Sequence, residues 1–295
     1  MRTSPMILPC WPFNTTARSL RNQTSVMKFF NLSDTIGAGT TDNKQYRMLT
    51  AFSTCILVGL TGVGKTTLKK KLLETYPFYL LPGRRTLTDR IILPLMQQND
   101  GTDGPVHDRV QRFAFTKGFR DIHPGGMGYV LSQIRIKALS RSTLFLFDGL
   151  RGLDEVRYAA RAIPSAFFIV LVAPDHLRIK RLLSRQDPFD CTPAGIKALT
   201  LQAVNNILSP EQAEELFAYV HRHGIPESLL NEKISIVAKE KENYSQEATV
   251  RFLMETVPDR TVSMDSSQNS PDEIIAAIHH RLHPFLISHN TRMEK

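Results

Sequence analysis

Five short apolar runs recur along the chain, and stretches whose apolar residues fall at helical spacing lie between and after them. The runs are Cys55-Ile56-Leu57-Val58, Phe78-Tyr79-Leu80-Leu81, Thr143-Leu144-Phe145-Leu146-Phe147, Ala166 to Val172, and Thr261-Val262-Ser263-Met264-Asp265. The first suits a buried parallel strand, and the third is as continuously apolar. Thr67 to Tyr76 predicts a helix with Leu68, Leu72 and Leu73 inward. Leu153 to Ile163 predicts another, with Val156, Ala159, Ala160 and Ile163 on one face. After the fifth run, Ser270-Pro271-Asp272-Glu273 combines a cap, a first-turn proline and a capping-box glutamate, and Ile274, Ile275, Ile278 and Leu282 bury the helix it starts.

Other stretches fit this alternation less simply. Asp108 opens a helical stretch in which Arg109, Arg112, Lys117 and Arg120 interleave with Phe113, Phe115 and Phe119, either a surface that stacks on a base and holds phosphate oxygens or, the favoured reading for the phenylalanines, an amphipathic helix with a phenylalanine core face. Beyond the break at His123-Pro124-Gly125-Gly126, Met127, Val130, Leu131, Ile134 and Ala138 mark one face of a second helix. Residues 192 to about 247 are helical, polar and long, a lid or insertion between strands four and five, with apolar stripes such as Leu201, Val204 and Leu208. Residues 1–48 are rich in Ser, Thr, Asn and Arg, hold no acid before Asp34 and show no sustained periodicity. They are expected to be a disordered or flexible extension, an over-extended start or an organelle leader. The remaining 49–290 form the domain.

The chemistry concentrates on Gly59-Leu60-Thr61-Gly62-Val63-Gly64-Lys65-Thr66, which matches G-x-x-x-x-G-K-[ST] between a strand and a helix. Glycines let the backbone wrap a phosphate closely enough for its N–H groups to donate. Gly59, Thr61, Gly62, Val63 and Gly64, with Thr67 beyond, are thus candidate nucleotide contacts. Lys65 adds a point charge for the outer phosphates and Thr66 a hydroxyl for Mg²⁺. The third run ends at Asp148, the acid expected to hold the Mg²⁺ shell on the strand beside the cradle, and Arg151 follows within reach of a transferred phosphate. Gly149, not an acid, follows Asp148, which tilts the reading from hydrolysis toward transfer. Arg84 and Arg85 at the end of strand two, Arg90, and Arg109 are candidate acceptor contacts. Arg178, Arg181 and Arg185 fall at i, i+3 and i+7 after strand four, a helix face expected to close over phosphates as a lid.

The 295 residues suit one α/β domain with insertions, or two small ones, and Lys plus Arg exceed Asp plus Glu by 37 to 28. That balance favours anionic partners; nucleic acid is possible but not required. Cys10, Cys55 and Cys191 are not arranged as metal ligands or as a disulfide scaffold, and a cytoplasmic location fits. No apolar run reaches membrane-span length. His279, His280 and His283 share helix faces but gain no acid or cysteine, so they read as solvated residues and not as a metal site.

Over roughly residues 51 to 286 the cradle, Asp148-Gly149-Leu150-Arg151, the arginine helix and the last strand-helix unit resemble the nucleoside and nucleotide kinase-like P-loop NTPases. The resemblance implies a three-layer α/β/α fold, a five-stranded parallel sheet with the cradle strand central, and a lid after strand four. It further implies that Lys65 and Thr66 serve ATP·Mg²⁺, Asp148 the metal, and Arg178, Arg181 and Arg185 the lid. Asp89-Arg90, Asp108-Arg109 and Asp148 to Glu155 are also similar to stretches of bacterial proteins described as AAA-family ATPases. A guanine-selecting Asn-Lys-x-Asp pattern is absent downstream, so ATP is the expected donor. The leading expectation is a Mg²⁺-dependent kinase of a small anionic or nucleotide-like acceptor. The alternatives are a regulatory ATPase or switch acting on a protein partner through 192–247, and a nucleic-acid end kinase.

Overall fold

In a computed structural model, residues 27–184 and 207–293 are described, apart from 102, 103, 105, 107, 108, 138 and 141. Strands β1 (Phe30–Asn31), β2 (Ile36–Ala38) and β3 (Tyr46–Met48) precede the cradle strand β4 (Thr54–Val58), helix α1 (Lys65–Thr75) and strand β5 (Phe78–Leu80). Helix α2 (Arg84–Leu87) runs through a π turn at Thr88–Ile92 into α3 (Leu93–Asp100). Then come α4 (Arg109–Ile122), α5 (Gly126–Ser132), β6 (Ile134–Lys137), β7 (Leu144–Leu150), α6 (Leu153–Ala162), β8 (Ala166–Val172) and α7 (Asp175–Leu183). The chain closes with α8 (Pro210–Arg222), α9 (Glu227–Asn243), α10 (Gln246–Thr256), β9 (Thr261–Asp265) and α11 (Pro271–Met293).

The order β5-β7-β4-β8-β9 forms a five-stranded sheet in which every pairing is parallel. Its central strands are apolar along their length because both faces are covered, as the wholly buried β4 shows. One face packs Ile56, Val58, Phe145, Phe147, Phe168 and Val170 against α5, α6 and α10. The other packs Cys55, Leu57, Phe167 and Ile169 against α1 and α11 through Leu68, Leu72, Ile274, Ile278 and Leu282. This is a three-layer α/β/α fold. The chain leaves β4 toward the β5 edge and later crosses to β8, so the carboxyl ends of β4 and β7 border a topological switch point, where such sheets bind ligands. Among the described residues no helix is long and apolar enough to cross a membrane.

Two expectations change here. The segment before Met48 is not an extension over residues 27–48: β1, β2 and β3 join β6 in an antiparallel four-stranded sheet of order β1-β2-β6-β3, and Met27, Leu32, Ile36 and Ala38 enter the main core. Residues 1–26 lie outside the described residues. The helix expected over Met127 to Ala138 ends at Ser132, and Ile134 belongs to β6. Ile134-Arg135-Ile136-Lys137 alternates buried and half-buried positions, a period of two that two β-branched residues reinforce. Ala138 lies outside the described residues.

On α4, Phe115 and Phe119 are buried as the core-face reading expects, while Phe113 is exposed. The insertion between β8 and β9 is helical over α8, α9 and α10. α8 and α9 build a satellite core with α7 from Ile179, Leu182, Leu216, Val220, Leu230, Ile234 and Val237. α10 returns to the main core through Leu253. The apolar stripe residues Leu201 and Val204 lie outside the described residues, whereas Leu208 is buried in the satellite core.

Candidate functional site

Between β4 and α1 the loop turns tightly. Gly62 (φ +85°) has its missing Cβ only 2.8 Å from the Arg178 carbonyl oxygen, so the loop tip rests on α7 backbone. Gly64 (φ +94°) has nothing nearer than 3.8 Å to its Cβ position and needs glycine for its backbone angle. Val63 is buried beneath the loop in the α1-side core.

The loop opens on a cavity of ≈ 820 Å³ lined by Thr61, Gly62, Gly64, Lys65, Thr66 and Thr67 on one side and by Gly83, Arg84, Arg85, Thr88, Arg112, Gly149 and Arg151 across from them. Arg181, Ser266, Asn269 and Pro271 extend it along α7 and the start of α11. Lys65, Lys69, Arg84, Arg85, Arg112, Arg151 and Arg181 are its cations, and Asp148 is the one carboxylate among the described lining residues.

Lys65 Nζ donates to the carbonyls of Gly59 (2.8 Å) and Leu60 (2.7 Å). Burial, and then the Arg151 charge, push its ammonium down to about 8, against the opposing pull of Asp148 and Glu240. An anion bound beside it reverses that pressure. Nucleotide binding at pH 8 is therefore expected to take up on the order of half a proton, measurable as a dependence of calorimetric heat on the buffer's ionisation enthalpy. Binding should weaken as pH rises through this value, because the neutral amine loses its attraction for phosphate. The same group makes apo stability rise with pH between about 8 and the unfolded 10.5, since there the unfolded chain holds the proton that the native one has lost.

Asp148, near the carboxyl end of β7, pairs with Lys69 Nζ at 3.1 Å. Arg84 forks onto Glu155, with Nη1 to Oε2 at 2.8 Å and Nη2 to Oε1 at 2.7 Å, and its Nη1 also donates to the Gly149 carbonyl at 2.7 Å. The buried Glu155 also accepts the Arg151 amide at 3.0 Å. Burial alone would raise its carboxyl; the Arg84 charge and these hydrogen bonds hold it below the usual carboxylate range. α5 presses against α6 at this point, since a Cβ on Gly128 would lie 2.2 Å from the Glu155 carbonyl oxygen. Arg112 Nη2 pairs with Asp89.

The three arginines read as a lid separate. Arg181 lines the cavity and ties it together, donating to the Gly62 carbonyl at 3.2 Å and to Ser266 Oγ and carbonyl at 2.8 Å each. Arg178 is fully buried and does not line the cavity: Asp175, Glu240 and the Thr61 carbonyl take its donors, so it clamps the cradle from behind and is no lid. Arg185 lies outside the described residues. Arg84, Arg85 and Arg151 come together at the cavity with Lys65, Thr66 and Asp148. Arg90 does not join them; it donates to the Leu32 carbonyl at 2.8 Å and so fastens the N-terminal strands. Arg109 begins α4, and its side chain lies outside the described residues.

Lys69, Arg112, Ser266 and Asn269 were not anticipated as lining residues, nor Glu155 and Glu240 as their supports. Lys69 could have been found, being one helical turn beyond Lys65 on the same face. Glu240 carries no local signal, since it meets Thr61 across 179 positions.

The residues present fit ATP·Mg²⁺. Among the described residues no cluster of three or more His, Cys, Asp or Glu side chains could cage a metal. Mg²⁺ instead commonly uses one or two protein oxygens together with phosphate oxygens and water. Asp148 and Thr66, hard oxygen donors on one cavity, are such a set. His279, one of the three C-terminal histidines, pairs its Nδ1 with the Tyr76 hydroxyl at 3.0 Å.

No family model and no curated protein sequence matches the chain. Among solved structures it is similar to a gluconokinase from Sinorhizobium meliloti, at 12% identity and a TM-score of 0.40 over 81% of this chain and 97% of that one. It is similar also to an unliganded sugar kinase from Janibacter sp., at 14% identity and a TM-score of 0.34 over 79% of this chain and 95% of that one. A third is deoxyadenosine kinase from M. mycoides with bound dATP, at 12% identity and a TM-score of 0.25 over 78% of this chain and 99% of that one. None of these three is described as an AAA-family ATPase.

Proposed function

We propose that the protein is a Mg²⁺-dependent kinase that transfers the terminal phosphoryl group of ATP to a small anionic acceptor. The observation that carries this reading is the composition of one cavity: a glycine cradle with Lys65, Asp148 as the one carboxylate among the described lining residues, and Arg84, Arg85, Arg112, Arg151 and Arg181 on the same lining. The cradle and Lys65 hold the donor phosphates, with Arg181 flanking the loop. Thr66 and Asp148 would hold Mg²⁺, which neutralises charge on the phosphate oxygens. Lys69 holds Asp148 in the metal-free state. Arg151 stabilises charge on the transferred group, and Arg84, Arg85 and Arg112 present a positive face to the acceptor.

No second carboxylate among the described lining residues stands beside Asp148 to activate water. Phosphoryl transfer needs little base catalysis when the acceptor is positioned and charge is neutralised. Incubation with terminally labelled ATP and a fractionated metabolite extract is expected to place label on an anionic acceptor. Label released only as free phosphate would refute transfer.

A further inference from the structure

Resting on that kinase reading, we propose that Glu240, in the inserted helix α9, is a positioning residue for phosphoryl transfer that holds Arg151 at the cavity and anchors the cradle backbone at Thr61 from behind the cavity wall. The carboxylate is 6% exposed and belongs to an element far along the chain from the cradle. Its Oε2 accepts the Thr61 amide at 2.9 Å, and its Oε1 accepts the Thr61 hydroxyl at 2.6 Å and forms an ion pair with Arg151 Nη1 at 2.9 Å. Arg178 Nη2 completes the set on Oε2.

Thr61 and Arg151 line the cavity, while Glu240 and Arg178 do not. The carboxylate therefore holds Arg151 and the Thr61 end of the cradle without standing in the phosphate's place. Thr61 is held through both peptide groups that flank it, its N–H by Glu240 and its carbonyl by Arg178 Nε at 2.8 Å. That grip sets the direction in which the next amides of the cradle point, and preorganised donors are what stabilise developing charge. Arg151, with its amide on Glu155 and its guanidinium on Glu240, is tethered at both backbone and fork. A tethered arginine has surrendered its rotamer freedom on folding, so little is left to lose when phosphate arrives.

The surroundings keep Glu240 ionised. Burial opposes its charge, but Arg151, Arg178 and the Thr61 hydrogen bonds hold its carboxyl below the usual range. Asp175 shares the cluster, pairing with Arg178 at 2.7 Å and with Lys241 at 3.2 Å. The insertion thus supports the proposed site from behind its wall.

Glu240→Gln, Arg151→Ala and the double variant test this with labelled ATP·Mg²⁺ and the extract used above. The expected result for Glu240→Gln is a fall in kcat on the order of tenfold to a hundredfold, with KM for ATP changed less than about threefold, as for outer residues that orient a reacting group. Arg151→Ala should fall at least as far, and the double variant by clearly less than the product of the two single losses. Glu240→Asp keeps a negative charge before the buried Arg178 and should recover part of kcat; it carries the test if the glutamine variant does not fold. A merely structural Glu240 would lower the melting temperature and leave kcat per folded molecule unchanged, and that result, or multiplicative losses in the double variant, overturns the proposal. Wild-type protein that transfers no phosphate overturns the kinase reading itself, a separate outcome because it appears before any variant is made.

Discussion

Lys65→Ala should lose most of its nucleotide affinity and keep its fold. The ammonium donates to two carbonyls of the cradle, and a charge-assisted contact to phosphate contributes about 1.5–3 kcal/mol, or roughly tenfold to more than a hundredfold in affinity. The fold should survive because native burial already disfavours this charge, as its lowering to about 8 shows. The Gly59 and Leu60 carbonyls it releases belong to buried residues, so the variant should lose some stability with their donor while the fold persists. Titrating ATP·Mg²⁺ while following thermal unfolding decides the matter. Wild-type protein at a hundred times its Kd gains about 2.7 kcal/mol, and the variant at the same concentration should gain only roughly 0.3–1.3 kcal/mol. A variant whose melting temperature still climbs normally would place the nucleotide elsewhere.

Glu155→Ala is expected to cost about 3–5 kcal/mol, the usual penalty for leaving one member of a buried ion pair without its partner. It strands the Arg84 guanidinium and unpairs the Arg151 amide, loosening both the acceptor wall and the loop after Asp148. Glu155→Gln should lose less, because its amide oxygen still accepts one donor. Urea unfolding measures both, and a loss below about 1 kcal/mol for alanine would show that the pair does not hold the end of β7. Since Glu155 and Glu240 both titrate below the ordinary 4.5, the stability they add is complete above that value. It fades as pH falls through their lower native values, because the unfolded chain then takes up protons first.

The parts of this site that were legible in the sequence are those fixed by local chain geometry. The cradle, Asp148 and the strand-helix units all declare themselves within a few residues, because a turn, an apolar strand or a helix start is a local event. The errors have a common cause in long-range pairing. Helical spacing placed Arg178 and Arg181 on one face, yet whether such a face meets phosphate or core depends on Glu240, 62 positions from Arg178. Arg90 looked like its neighbours Arg84 and Arg85 until the Leu32 carbonyl claimed it, 58 positions away. Strands of two or three residues such as β1 and β2 are too short to show a period of their own. They are specified by a partner, and the register that pairs Gly37 with Arg135 spans nearly a hundred residues.

That small antiparallel sheet bears on any attempt to shorten the protein. Met48 looks like a convenient place to begin, just ahead of the cradle strand. A chain cut there would deprive β6 of both its neighbours, β2 and β3, and strip Met27, Leu32, Ile36 and Ala38 from over Ile134 and Ile136. What remained would be an orphan ribbon with unpaired amides and carbonyls on both sides and two uncovered isoleucines, a template for self-association. Trimming the apparent leader to improve solubility would therefore do the opposite.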